Sequence, residues 1–326
     1  MIILLISCLL HIKMYKISEN GVLTFENGCK TIQADAFRNN HNVKIVIIPK
    51  SVRKIGERAF YACVNLKRVE IAKCGLRVIE DSAFCGCFKL DQFEVPRTVR
   101  RIGISAFESC SCLKNMTIPY GVSVVNAKTF MQCVSLRTLT LPKHLMVIKK
   151  MAFLGCWNLT TLKLPETLHS IEANAFMCCL RLKSVRIGPK IKALGDGCFA
   201  YCKNLTSFKI PQKIRVIPDH FLKGCERLLS IVIPDGVTSI GRSAFCGCGR
   251  LKRVKLSKNL THISASAFAY CYALESMTIP VSVIRIEERA FCHCLKLRKV
   301  VFKNVGTSCD VSAFADCASL TLKKTI

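Results

Sequence analysis

The chain has 326 residues, 51% of them apolar, yet Lys+Arg 49 against Asp+Glu 21 leaves a formal charge of +28. So much apolar content excludes a disordered chain, and the longest apolar run, Met1 to Leu10, is too short for a membrane span of about 18 residues. A folded, soluble protein with an apolar inside and a basic outside is expected, and its 22 cysteines invite a disulfide or zinc reading that their spacing can test.

Residues 1–19 read as an N-terminal segment, either a short leader or a cap. Leu5-Ile6-Ser7-Cys8 resembles a lipoprotein cleavage box, but no Lys or Arg precedes the run and no small-residue cleavage site follows it. A start at Met14 would remove the leader and make the protein cytoplasmic.

From about Asn20 onward the sequence keeps a clock. Cys63, Cys87, Cys110, Cys133, Cys156, Cys179, Cys202, Cys225, Cys248, Cys271, Cys294 and Cys317 are spaced by 24 residues once and by 23 thereafter. A phenylalanine stands three residues before almost every one, from Phe60 to Phe314; Leu222 takes that slot once, with Phe221 in the neighbouring Ala position. Phe37 extends the series toward the N-terminus, where Asn40 replaces the cysteine. Stacked, the units give Leu-x-x-Ile-x-Ile-Pro-x-x-Val-x-x-Ile-x-x-x-Ala-Phe-x-x-Cys, nearly unbroken from Leu228 to Cys248. A fixed period in this range with Leu-x-x-Ile-x-Ile is the signature of a leucine-rich-repeat solenoid.

The physical logic is one coil per repeat. Alternating apolar residues such as Val69 and Ile71, or Leu162 and Leu164, predict a short strand with one face inward. Proline follows many of these strands and ends them: Pro96, Pro119, Pro142, Pro165, Pro211, Pro234 and Pro280. No coil has enough core by itself, and stacking supplies it. The expected fold is an α/β repeat solenoid: a right-handed leucine-rich-repeat horseshoe with one concave parallel β-sheet and short turns or 3-10 segments on the convex side. It occupies residues 20–326 as a single solenoid of about thirteen 23-residue repeats, and the extra residue of the long repeat falls near Cys74 and Gly75.

The Ile-Pro, Ile-x-x-x-Ala-Phe and Cys-x-x-Leu phrasing resembles the BspA-like leucine-rich repeats, also called the Treponema pallidum type. That resemblance covers almost everything from residue 20 onward. It implies a surface or secreted protein adhering to host proteins or cells, and it carries no catalytic motif.

The twelve clock cysteines read as small buried hydrophobes whose S–H points at a backbone carbonyl of the turn. Neighbouring coils would bring them within disulfide range, but all point the same way into a packed core, so reduced thiols are expected. Cys29 and Cys309 fall on apolar template positions and read as buried substitutes; Cys8, Cys74, Cys85, Cys112, Cys178, Cys198, Cys246 and Cys292 receive no role. Cys246 and Cys292 stand two coils apart, too far to share an ion, and no Cys-x-x-Cys occurs, so no metal site is expected. Four Asn-x-Thr triplets, at Asn115, Asn158, Asn204 and Asn259, follow largely from the repeat's own wording.

Outward strand residues supply the expected binding surface. Early coils are mixed or acidic there, with Arg68, Glu70 and Glu94, whereas Lys163, Arg186 and Lys209 stack as a basic stripe beside a row of small hydroxyls. A second basic group comprises Lys252, Arg253, Lys255, Arg298 and Lys299. Such a face suits a protein or anionic glycan ligand. Nucleic acid is less favoured, because neither outward column offers an aromatic platform for bases. Phosphate-loop, dinucleotide, zinc-protease and nucleophile-elbow motifs are all lacking, and the seven histidines lie scattered, so neither catalysis nor a cofactor is expected. The reading is a non-enzymatic binding or adhesion protein; an intracellular scaffold touching polyanions through its basic surface is the alternative.

Overall fold

The computed structural model describes residues 15–72, 75–318 and 320–324. The proposed leader, Cys8 and Cys74 lie outside the described residues. The chain divides into two compact units, residues 1–142 and 143–326.

In the first unit the inward members of the Leu-x-x-Ile-x-Ile pattern set the register. Strands Val22–Phe25, Ile45–Ile48, Arg68–Ile71 and Gln92–Phe93 pair in parallel, so that Leu23, Val46, Val69 and Phe93 line up in one inward column. Strand Asn115–Thr117 pairs in the same manner with Thr138–Thr140. Residues Tyr15–Ile17 turn back through Gly21, which takes a left-handed φ of 80°, and pair antiparallel with Val22–Phe25. This puts the Tyr15 ring edge-on to Phe37 at 4.8 Å, over the first ring of the phenylalanine column.

A second parallel ladder runs through the return segment, where only turns were expected. Two-residue strands Thr31–Ile32, Lys54–Ile55, Val78–Ile79 and Arg101–Ile102 pair so that their isoleucines stack inward. The template's Val-x-x-Ile therefore encodes a strand rather than a bare turn: its β-branched Ile fits a pleated, half-buried position.

The Ala-Phe turn supplies a third set of links between coils. Arg58, Phe60 and Ala62 donate their backbone N–H groups to the carbonyls of Asp81, Ala83 and Cys85 in the next coil, at 3.0, 2.8 and 2.7 Å. Two turn residues four apart adopt left-handed φ, such as 51° at Arg58 and 54° at Ala62, and their N–H groups, with that of Phe60 between them, point along the stack. Twenty described non-glycine residues accept this conformation. The conformation costs about 1–2 kcal/mol per residue, and for most of them, Arg58 and Ala62 among them, a backbone bond to the next coil offsets it.

The second unit repeats the plan. Strand pairs Thr161–Lys163 with Ser184–Arg186, and Ser230–Val232 with Arg253–Lys255, carry the first ladder, followed by Ser276–Ile279, Lys299–Phe302 and Thr321–Lys324. The second ladder runs through Val147–Ile148, Ser170–Ile171 and Ala193–Leu194, and then from Val216–Ile217 to Ser308–Cys309. Among the described residues there is neither an α-helix nor a 3-10 segment, which corrects the α/β label and the single-sheet expectation. These are parallel-sheet coils with two ladders and a hydrogen-bonded turn. A 23-residue coil spends its backbone bonds on its neighbours, leaving no segment to satisfy itself internally as a helix must.

The core follows the clock. In the second unit Phe153, Phe176 and Phe199 stack at 5.1 and 5.3 Å, and Phe245, Phe268, Phe291 and Phe314 continue at 5.1–5.3 Å, all within 8° of parallel. Where Leu222 interrupts the stack, Phe221 fills the gap edge-on to Phe199 and Phe245, 6.4 Å from each. Beside the rings, clock thiols donate to the Phe-slot carbonyl of the preceding coil: Cys110 to Phe84 at 3.3 Å, Cys202 to Phe176 at 3.3 Å, Cys248 to Leu222 at 3.3 Å. Eleven of the twelve clock cysteines are fully buried; Cys317, in the last coil, is half-buried. No disulfide forms among the described residues.

Two cysteine assignments change. Cys309 is exposed rather than buried, because no further coil covers its strand among the described residues. Cys198 does have a place, filling the template's Ala slot with no exposure, as Thr129 does in the first unit with its hydroxyl donating to Asn126 and Gly103. Cys29 is buried at its Val position.

Candidate functional site: an exposed strand face

Strand alternation decides which side chains reach solvent. In Thr161–Lys163 the middle residue, Leu162, is 3% exposed while both neighbours face outward. The next strand lies in register, placing Lys163 opposite Arg186 and Thr161 opposite Ser184. Adjacent strands are about 4.8 Å apart. Two cations at about 5 Å repel by roughly 0.8 kcal/mol even in water, and an anion between them would reverse the sign.

All eight candidate cations are exposed: Lys163, Arg186, Lys209, Lys252, Arg253, Lys255, Arg298 and Lys299. Among the described residues none of them forms an ion pair. The first unit is different. There Arg68 is neutralised by Glu70 on its own strand at 2.7 Å, Lys54 by Glu80 at 2.8 Å, and Arg58 by Asp35 at 3.1 Å.

The structure regroups the candidates. Lys163 and Arg186 are brought side by side. Lys209 occupies the same template position one coil on, but its segment forms no strand; the coil keeps its place through Thr206, which donates to Lys183 at 3.4 Å and accepts from Leu229 at 3.2 Å. The second group separates into two. Lys252, Arg253 and Lys255 belong to one coil and Arg298 and Lys299 to another, with strand Ser276–Ile279 and the preceding Glu275 between them. Arg298 donates its backbone N–H to the Glu275 carbonyl at 3.0 Å, so an acid sits directly in that column. Lys255 faces Val232, which is 58% exposed, so apolar surface is interleaved with charge.

A different cluster escaped the sequence reading. His293 and Asp316 occupy the same turn position in successive coils, and Cys292 precedes His293 in the chain. The His293 Nδ1 lies 3.0 Å from Cys292 Sγ and 3.1 Å from Asp316 Oδ2, and the sulfur and carboxylate are 3.7 Å apart. Burial, with the Asp316 charge beside it, pushes the Cys292 thiol up from its ordinary value. The signal was there in the sequence, as Cys-His followed 23 residues later by Asp, but only coil stacking makes that interval a contact.

Other thiols are held in the neutral form by the core. Burial pushes Cys63 and Cys85 up to about 11, and Cys110, Cys179 and Cys225 are raised further by deeper burial. A thiol held protonated is a poor nucleophile.

The model of the BspA type leucine rich repeat region matches residues 14–137, 123–248 and 217–324. Among solved structures, a leucine-rich repeat protein from Bacteroides ovatus superposes with a TM-score of 0.75 at 24% identity, covering 96% of this chain and 98% of that one. A leucine rich cell surface protein from Faecalibacterium prausnitzii gives a TM-score of 0.63 at 27% identity, covering 96% and 93%. The pneumococcal vaccine antigen PcpA gives 0.53 at 17% identity, covering 96% and 86%, a likeness of fold. No curated protein matches the chain. No helix among the described residues is long and apolar enough to cross a membrane.

Proposed function

Because the chain belongs to the BspA-type leucine-rich repeat family, we propose that it is a non-enzymatic binding protein that holds a macromolecular partner on its exposed strand face. The observation that carries this reading is the in-register pair Lys163 and Arg186, without an ion pair among the described residues and beside exposed hydroxyls. Natural sheets rarely leave like charges opposite one another, because the repulsion is uncompensated. An acidic protein surface or an anionic glycan supplies the compensation, and Val232 adds apolar contact in the same unit. Resemblance to a cell surface protein supports display outside the cell, where a face of this kind would serve adhesion.

A second reading, an intracellular scaffold contacting polyanions, is favoured by one observation: the described cysteines form no disulfide. Such a thiol-rich chain suits a reducing compartment.

The test is charge reversal with a polyanion as probe. Heparin and poly-glutamate binding are measured for the wild type and for Lys163→Glu/Arg186→Glu/Lys209→Glu. The proposal expects at least about a tenfold loss of affinity and a wild-type affinity that falls steeply between 50 and 200 mM salt. Affinity that ignores both salt and the three substitutions removes this face from consideration.

A further inference from the structure

We infer that Cys292, His293 and Asp316 form a mononuclear site for a zinc-type divalent cation, with one coordination position open to solvent. They are the one group of three such side chains, among the described residues, whose ligand atoms all lie within 4.8 Å of one another.

The geometry is close to that of a filled site. Zinc bonds of about 2.3 Å to sulfur and about 2.0–2.1 Å to nitrogen or oxygen give tetrahedral ligand–ligand edges of roughly 3.4–3.6 Å. Here the edges are 3.0 Å for sulfur–nitrogen, 3.1 Å for nitrogen–oxygen and 3.7 Å for sulfur–oxygen, so the first must lengthen by about half an ångström and the other two change by less. The donor set of thiolate, imidazole and carboxylate suits zinc or cobalt rather than calcium or magnesium, which prefer oxygen.

Without a metal the three groups share protons: the Cys292 thiol donates to Asp316 Oδ2 at 3.7 Å, and a neutral Nδ1–H donates to the same oxygen at 3.1 Å. The three ligand atoms therefore already converge on one point, which a dication can occupy in place of those two protons. The same geometry argues against a nucleophilic triad, in which the thiol and the carboxylate address different ring nitrogens.

Charge and scaffold also agree. Binding releases the Cys292 thiol proton to solvent, and a dication with one thiolate and one carboxylate is neutral overall. His293 and Asp316 hold left-handed φ of 58° and 59°, fixed by the turn. His293 also donates its N–H to the Ala315 carbonyl of the next coil at 2.9 Å. The Tyr270 ring lies 4.8 Å from the imidazole on the preceding coil. Two other coils carry cysteine in the position of Cys292, but Cys85 is followed by Gly86 and Ser109, and Cys246 by Gly247 and Tyr270, sets that lack the nitrogen and carboxylate.

The test uses Co²⁺ and Zn²⁺ on the folded, reduced full chain. Expected is one cobalt per chain with a thiolate-to-cobalt charge-transfer band and the intense visible bands of four-coordinate cobalt, all displaced by zinc. His293→Asn and Asp316→Asn, both chosen because Asn tolerates left-handed φ, should each weaken binding by at least about tenfold. Cys292→Ser should abolish the charge-transfer band, and Cys246→Ser should leave it unchanged. Lack of saturable binding, a band that survives His293→Asn, or a band lost in Cys246→Ser would each overturn the assignment.

Discussion

Replacing Phe176 by alanine tests the core most directly. The ring is fully buried and stacks on Phe153 at 5.1 Å and on Phe199 at 5.3 Å, within 7° of parallel on both sides. Its backbone stays engaged in the variant, because the N–H donates to the Cys198 carbonyl at 2.9 Å and the carbonyl accepts from the Cys202 thiol at 3.3 Å. The loss is therefore confined to the ring. Truncating a buried Phe to Ala costs about 3–5 kcal/mol. Two aromatic contacts at about 0.5–1.5 kcal/mol each fall within that figure and place it toward the upper end. Phe176→Leu is the control. Leu222 already occupies this slot elsewhere with no exposure, so a leucine should fit the cavity and cost about 1–2 kcal/mol, most of it lost stacking. Urea unfolding followed by circular dichroism in reducing buffer gives both values from the shift in midpoint at constant slope. A loss below about 1 kcal/mol for the alanine variant would refute the placement of this ring.

The thiols give two further expectations. In the native protein, alkylation should reach exposed Cys112 and Cys309 quickly and leave Cys110, Cys179 and Cys225 untouched, whereas denaturant should expose them all; rapid labelling of the buried set in native buffer would contradict the packing. Stability should fall as pH rises above about 9. Core thiols such as Cys63, held up to about 11 by burial, keep their protons while the unfolded chain loses them. The unfolded state then binds fewer protons, and folding loses about 1.4 kcal/mol per pH unit for each such thiol. A urea midpoint unchanged between pH 8 and pH 10 would show that the thiols are not buried. Finally, Lys163→Glu/Arg186→Glu/Lys209→Glu should fold normally, since all three side chains are exposed, while losing at least about tenfold in heparin affinity; parallel circular dichroism and binding assays separate the two effects.

Much of this molecule was legible because a repeat states its own register. The interval between Phe153 and Phe176 is the interval between Leu162 and Val185, so one alignment of the units orders the inward columns. The same alignment told that Leu222 breaks the phenylalanine column, though not that Phe221 turns edge-on to fill the gap. It placed Lys163 over Arg186, which the strand register bears out. It also led to grouping Lys252 with Arg298, where the template in fact requires an intervening coil that carries Glu275.

What the sequence alone determined was the period, the inward and outward residues of the first ladder, and the buried state of the repeat cysteines. These follow from side-chain pattern within a single coil, which a one-dimensional string records. Only the tertiary structure decided how each coil satisfies its backbone: a second ladder through residues such as Ile55 and Ile79, and a turn whose left-handed residues aim N–H groups at the next coil. It alone decided the contact between His293 and Asp316 as well. Backbone pairing and contacts between coils depend on which segments lie side by side, and that information resides in the stack rather than in any one repeat.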